Sequence, residues 1–133
     1  MSQENVELVR QAYEAFNRGD LEGMGAFIAP EFEYVPTGEV PGASAAFTGP
    51  DAWREFVAWL LEEFDDARVD AHELTDAGDR VLVRGSLRGR GKHSGLETSW
   101  DLWHVWTVRD GKAVHGQAFT IRAEALEAAG LSE

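Results

Sequence analysis

Between positions 5 and 18 the apolar residues Val6, Val9, Tyr13 and Phe16 recur at three- and four-residue steps, with Leu8 and Ala12 beside them. That spacing gathers them on one face of a helix, which Gly19 then stops. Asp20 is placed to cap a second, short helix that carries Leu21, Met24, Phe27 and Ile28 inward, with Pro30 as its end. Residues 31–35 read as a short strand. A third helix opens with Pro50 in its first turn. Trp53, Phe56, Val57, Leu60 and Phe64 form its apolar stripe, Asp51 and Glu55 complement its dipole, and it ends near Asp65.

After that point the helical period disappears. Residues 68–75 and 80–88 are rich in Val and Leu, with a turn at 76–79 between them. A flexible connection over 89–95 leads to a long aromatic strand at 98–109. Asp110-Gly111 is a strong hairpin signal, followed by a strand at 112–121 and a short helix at 123–129. Helices first and an antiparallel meander afterwards make an α+β order, because a parallel sheet would need strands and helices to alternate. A curved sheet wrapped over helices leaves a hollow. Residues 36–49, with their prolines, glycines and small side chains, are expected to form a loop or an irregular edge segment that could serve as a lid.

The 133 residues suit one domain spanning 1–133, and no repeat or linker divides them. Twenty-four acidic residues against twelve Lys and Arg give a net charge of −12, a field that repels nucleic-acid phosphates and anionic lipid headgroups. Neither is an expected partner. The absence of cysteine removes disulfides, thiolate catalysis and sulfur-bound zinc. The first residues lack the pattern of a secretory signal and no window reaches eighteen or so apolar residues, so the expectation is a soluble, cytoplasmic protein.

The ordered features QAYEAFNRGDLEGMGAFIAPEF, TGPDAWREFVAWL and HVWTVRDGKAV resemble the SnoaL-like, polyketide-cyclase-related branch of the nuclear transport factor 2 superfamily over nearly the whole chain. The helix junction at 17–21 and the hairpin at 108–112 are the most specific parts. The resemblance implies a cone-shaped sheet closed by three N-terminal helices around a pocket, a dimer through the outer sheet face, and no obligatory cofactor. It also locates positions. Matched to the steroid isomerases, the tyrosine falls on Ala12, the general-base aspartate on Val35 and the second acid on His104. Matched to the limonene-epoxide hydrolases, the three polar positions fall on Arg84, Ser86 and Ile121, so only the arginine is kept.

With Asp110 and Gly111 as a two-residue turn, His104 faces Gln117, Leu102 faces Phe119 and Trp106 faces His115 across the hairpin. Alternation adds Trp100 to that face and sends Asp101, Trp103, Val105 and Thr107 to the other. The expected pocket is therefore lined by Trp100, Leu102, Trp106, Gln117 and Phe119, with Tyr13 from the first helix and, as the resemblance implies, Val35. An imidazole there would tend to stay neutral and could give or take a proton, with Gln117 orienting it, Arg84 neutralising an enolate or carboxylate, and Glu33 as a second carboxylate.

Blander assignments stand beside these. His104 can be a satisfied core histidine, Arg84 can pair with Asp101, Glu33 can be solvated, and the tryptophans can serve packing alone. Residues 88–93 are basic and glycine-rich but lack phosphate-loop spacing, and the four histidines show no helical metal-ligand pair, so no metal or cofactor is expected. The two functional classes left are an acid–base enzyme acting on a small apolar or aromatic metabolite, and a binding or dimerisation module without a reaction.

Overall fold

The computed structural model describes residues 2–36, 47–48 and 51–131. Its elements run α1 (Ser2–Asn17), α2 (Leu21–Gly25), β1 (Ile28–Pro36), β2 (Phe47–Thr48), α3 (Ala52–Glu63), β3 (Phe64–Ala77), β4 (Arg80–Gly91), β5 (Glu97–Arg109), β6 (Lys112–Phe119) and α4 (Arg122–Ala129). One six-stranded sheet has the order β2-β1-β6-β5-β4-β3. The meander from β3 to β6 is antiparallel, and β1 joins it parallel to β6. The open, curved α+β cone expected from the helix-then-strand order is the fold found.

The two faces of the sheet bury different sets of side chains. On the inner face Val69, Val83, Leu87, Leu102 and Trp106 meet Val9 and Tyr13 of α1 and Trp53, Val57 and Leu60 of α3. On the outer face Leu82, Val105 and Phe119 form a smaller cluster with Ala125, Leu126 and Ala129 of α4. The helical periodicities of α1 and α3 thus became burial as the apolar spacing predicts.

The junction after α1 positions that helix. Gly19 adopts φ +76°, a left-handed conformation that lets the chain reverse. The Asn17 side chain donates to the Val69 carbonyl at 2.8 Å and accepts from the Val69 amide at 2.9 Å, which fixes the end of α1 on β3. Asp20 then caps α2 by accepting from the Gly23 amide at 2.9 Å. Asp110 (φ 51°) and Gly111 (φ 78°) form the expected tight reversal, both with positive φ.

Several boundaries differ from the sequence expectation. Pro30 does not end a helix: α2 stops at Gly25 and Pro30 lies inside β1. A proline is tolerated there because β1–β6 pairing is interrupted between Ile28 and Glu33, where no ladder amide is needed. Phe64 starts β3 rather than closing α3, and β4 continues to Gly91, which leaves only a short turn where a flexible connection was expected. The segment expected as a lid, 36–49, lies almost entirely outside the described residues.

The largest correction concerns the β5–β6 register. Val108 pairs with Ala113 as the tight turn requires, but Thr107 pairs with His115, leaving Val114 as an extra residue. Beyond this bulge every pair is displaced by one, so His104 faces Ala118, Trp106 faces Gly116 and Trp103 faces Phe119. Because side chains alternate, a one-residue displacement moves a residue to the other face.

The Gly23 amide, and secondarily Arg18, hold the Asp20 carboxyl below its ordinary 3.8. A lowered value means that the ionised cap stabilises the fold above that range, and that this contribution is lost as pH falls through the lowered value. Asp20→Asn keeps a cap acceptor without the titration. Acidification below about pH 3.8 should therefore lower the melting temperature less steeply in Asp20→Asn than in the parent, and identical slopes would refute the cap's role in acid sensitivity.

Candidate functional site

Beneath the helices the inner face of the sheet encloses a cavity of about 60 Å³. α1 contributes Val9, Tyr13 and Phe16, α3 contributes Trp53, Phe56 and Leu60, β1 contributes Phe32 and Tyr34, and β5 contributes His104 and Trp106. Among the described residues the lining contains no Asp, Glu, Lys or Arg. Its polar atoms belong to one histidine, two tyrosines and two tryptophans, so the chamber is apolar with polarity concentrated at His104.

His104 is 4% exposed and is bracketed by hydroxyls. Tyr13 Oη lies 2.5 Å from Nδ1, and Tyr34 Oη lies 3.1 Å from Nε2. The Trp106 indole Nε1–H donates to the same Tyr13 hydroxyl at 2.8 Å. The Tyr13 ring is nearly parallel to the imidazole (9°), whereas Tyr34 and Trp106 meet it edge-on at 73° and 71°. Three elements thus converge: α1 supplies one phenol, β1 the other, and β5 the imidazole and indole. The geometry holds a buried imidazole with both nitrogens in hydrogen bonds, a group able to accept a proton at one nitrogen while giving one from the other.

The structure separates the residues expected from sequence into three groups. His104, Tyr13 and Trp106 border the cavity together. Trp100 and Leu102 are on the same inner face but behind its wall: Leu102 is fully buried, and Trp100 packs edge-on against Phe64 at 5.5 Å. The remaining five are on the outer face. Gln117 pairs with Val105 and Phe119 with Trp103, as the Val114 bulge dictates, so Gln117 does not orient the imidazole. Val35 alternates with Tyr34 and stands beside Gln117. Glu33 Oε1 lies 3.4 Å from His115 Nε2 on that side. Arg84 is exposed, in register with Trp103 and Glu73, and Asp101 instead accepts from Ser86 Oγ at 3.1 Å.

Tyr34 is the site residue that the sequence reading missed. Its signal was present, since Phe32 and Tyr34 share one parity of a short strand and an aromatic hydroxyl on an inward face needs a partner. Matching by position selected Val35, one residue away and therefore on the opposite face. On the outer face, Ser86 Oγ also touches His72 Nε2 at 3.0 Å, but serine rather than histidine is central in that set. Among the described residues no group of three or more His, Asp or Glu side chains is arranged to hold a metal, and no helix is long and apolar enough to cross a membrane.

The sequence profile of the SnoaL-like domain matches residues 9–116. The aklanonic acid methyl ester cyclase of Streptomyces galilaeus is 28% identical over 120 residues, covering 84% of this chain and 81% of that enzyme. Its counterpart from Streptomyces peucetius is 28% identical over 115 residues, covering 80% and 77%. Among solved structures, an NTF2-like protein of unknown function from Burkholderia pseudomallei superposes with a TM-score of 0.79 at 27% identity, covering 93% of this chain and 95% of its own. TerC, co-crystallised with polyporic acid, gives a TM-score of 0.78 at 26% identity, covering 96% and 98%.

Among the described residues the Tyr13 hydroxyl serves two buried groups and the Tyr34 hydroxyl is within reach of one of them, so the two phenols differ in what their removal leaves behind. Each buried polar group deprived of a partner costs about 1–3 kcal/mol. Tyr13→Phe should destabilise the protein by roughly 2–4 kcal/mol and Tyr34→Phe by roughly half that, read by urea denaturation; the reverse order would contradict the bracket.

Proposed function

This chain belongs to the SnoaL-like domain family, and on that premise we propose that it is a small-molecule acid–base enzyme whose proton-transfer group is His104. The observation that carries the reading is the imidazole set between the Tyr13 and Tyr34 hydroxyls at the wall of an apolar cavity. Such a pocket suits an apolar or aromatic metabolite carrying one oxygen function. The imidazole would take the substrate proton by relay, through the phenol hydroxyl that donates to its lone pair, and the other phenol would stabilise the oxygen on which charge develops. Cyclisation or isomerisation is the reaction class, in line with relatives that are named cyclases.

The cavity constrains the substrate. At about 60 Å³ it is smaller than the roughly 150 Å³ engineered cavity that admits one benzene ring, so a ring-sized ligand enters only as the aromatic walls part. Phe56 of α3, half-buried and stacked on Trp59 at 6.3 Å, is one part of that wall. A second reading, a binding protein without turnover, is favoured by one observation: neither Arg84 nor Glu33 reaches the chamber, so no charged side chain of the described lining assists the imidazole.

Aklanonic acid methyl ester, the substrate in the relatives' names, is the first compound to assay. In whatever compound is turned over, His104→Gln should lower kcat by about 10²–10⁴ while binding persists. Unchanged turnover would remove His104 from the mechanism, and saturable binding with no product from any compound would favour the binding protein.

We also propose a homodimer through the outer sheet face beyond α4, where Trp103 is only half-buried and Val35 and Gln117 lie on the same face. A Trp103→Glu variant should then elute as a monomer and the parent as a dimer in size-exclusion chromatography with light scattering. A monomeric parent would end this assignment.

A further inference from the structure

The three hydrogen bonds around the imidazole differ in length, and the lengths carry a direction. Hydroxyl donors form the shorter bonds and N–H donors the longer ones, with N–H···O contacts clustering near 2.9–3.0 Å. The 2.5 Å contact between Tyr13 Oη and Nδ1 fits a phenol O–H donating to nitrogen. The 3.1 Å contact between Nε2 and Tyr34 Oη fits an imidazole N–H donating to oxygen. The Trp106 indole can only donate, and it does so to the oxygen of Tyr13 at 2.8 Å. All three bonds then run one way, from Trp106 through Tyr13 and His104 toward Tyr34.

We propose that Trp106 is a positioning residue that, acting through Tyr13, selects the His104 tautomer with its proton on Nε2, and that Gly116 is the residue that admits the indole. The physical reason lies in the Tyr13 hydroxyl, which has one proton and two lone pairs. An indole N–H on one lone pair polarises the phenol into a stronger donor, which favours Nδ1 as an acceptor. Without that N–H, the opposite arrangement, in which Nδ1–H donates to the Tyr13 oxygen, is no longer disfavoured. The lone pair able to accept a proton is thereby set at Nδ1, against Tyr13, while the N–H is set at Nε2, against Tyr34.

Gly116 enters through the Val114 bulge, which brings it opposite Trp106. A Cβ at this position would lie 2.6 Å from Trp106 Cζ3, 2.8 Å from its Cε3 and 3.1 Å from Tyr34 Cδ1. The first two distances are closer than side-chain carbons approach one another, so the indole occupies the space a side chain would need. Gly116 has no positive φ to require glycine, which leaves the two rings as the reason for it.

The proposal concerns the same site as the acid–base reading and rests on it only for its catalytic consequence, since a tautomer is measurable without substrate. The test uses the full chain with ¹⁵N-labelled histidine, observed by two-bond ¹H–¹⁵N correlation at about pH 8.5, two units above the ordinary imidazole range. The parent should show His104 with Nδ1 unprotonated and Nε2 protonated. Trp106→Phe, which keeps a ring and removes the donor, should move the tautomer ratio about tenfold toward parity, shifting both nitrogens toward averaged positions.

A parent with its proton on Nδ1, or a Trp106→Phe variant still purely Nε2–H, would overturn the assignment whatever the outcome for turnover. For Gly116 the reading is a double-mutant cycle in melting temperature. Gly116→Ala should cost far less in the Trp106→Phe background than in the parent, and equal losses would remove Gly116 from the device.

Discussion

A histidine buried in an apolar chamber is tolerated only if both ring nitrogens find partners, because an unpaired polar group there costs more than most packing contacts return. In this protein the partners come from two elements distant in sequence, Tyr13 on α1 and Tyr34 on β1. That requirement ties the helix, the parallel strand and the central antiparallel strand to one another within a few tenths of an ångström. The Asn17 clamp on Val69 serves the same end, since it fixes how far along the sheet α1 can slide and so where Tyr13 delivers its hydroxyl.

The Val114 bulge acts on both faces of the sheet together. Inward, it sets glycine rather than a side chain opposite Trp106, giving the indole room to reach Tyr13. Outward, it places Phe119 with Leu82 and Val105 under α4, where the short C-terminal helix finds its apolar footing. A regular ladder would have put Gln117 beside His104 and an aromatic side chain opposite Leu102, a more polar and more crowded interior. Bulges that re-aim side chains beside pockets are a recurrent sheet device.

The described lining of the chamber presents only neutral groups. The described lining contains phenols, indoles and one imidazole but no carboxylate or guanidinium, while the many charges of this acidic chain are spent on the exposed faces and the outer sheet. Hydrogen-bond donors in a water-poor cavity act on developing charge more strongly than they would in solvent, which is how an uncharged set can still serve proton transfer. The same lack of charge limits which ligands are tolerated: an ion brought inside would lose its hydration without gaining a counter-charge.

The apolar spacing of the helices, the Asp-Gly reversal and the order of elements determined the architecture from sequence alone, because each reflects local geometry: a helical period, a positive φ, a proline or a cap. The presence of His104 on the inward face was legible for the same reason, by alternation along one strand. What only the tertiary structure decided was everything that depends on register between elements. A single extra residue, Val114, reversed the faces of Gln117 and Phe119, and a one-residue offset on β1 exchanged Val35 for Tyr34. With a side-chain period of two, such offsets leave the hydrophobic pattern of a doubly covered sheet almost unchanged while replacing the residues that meet the imidazole, so only the assembled sheet could identify its partners.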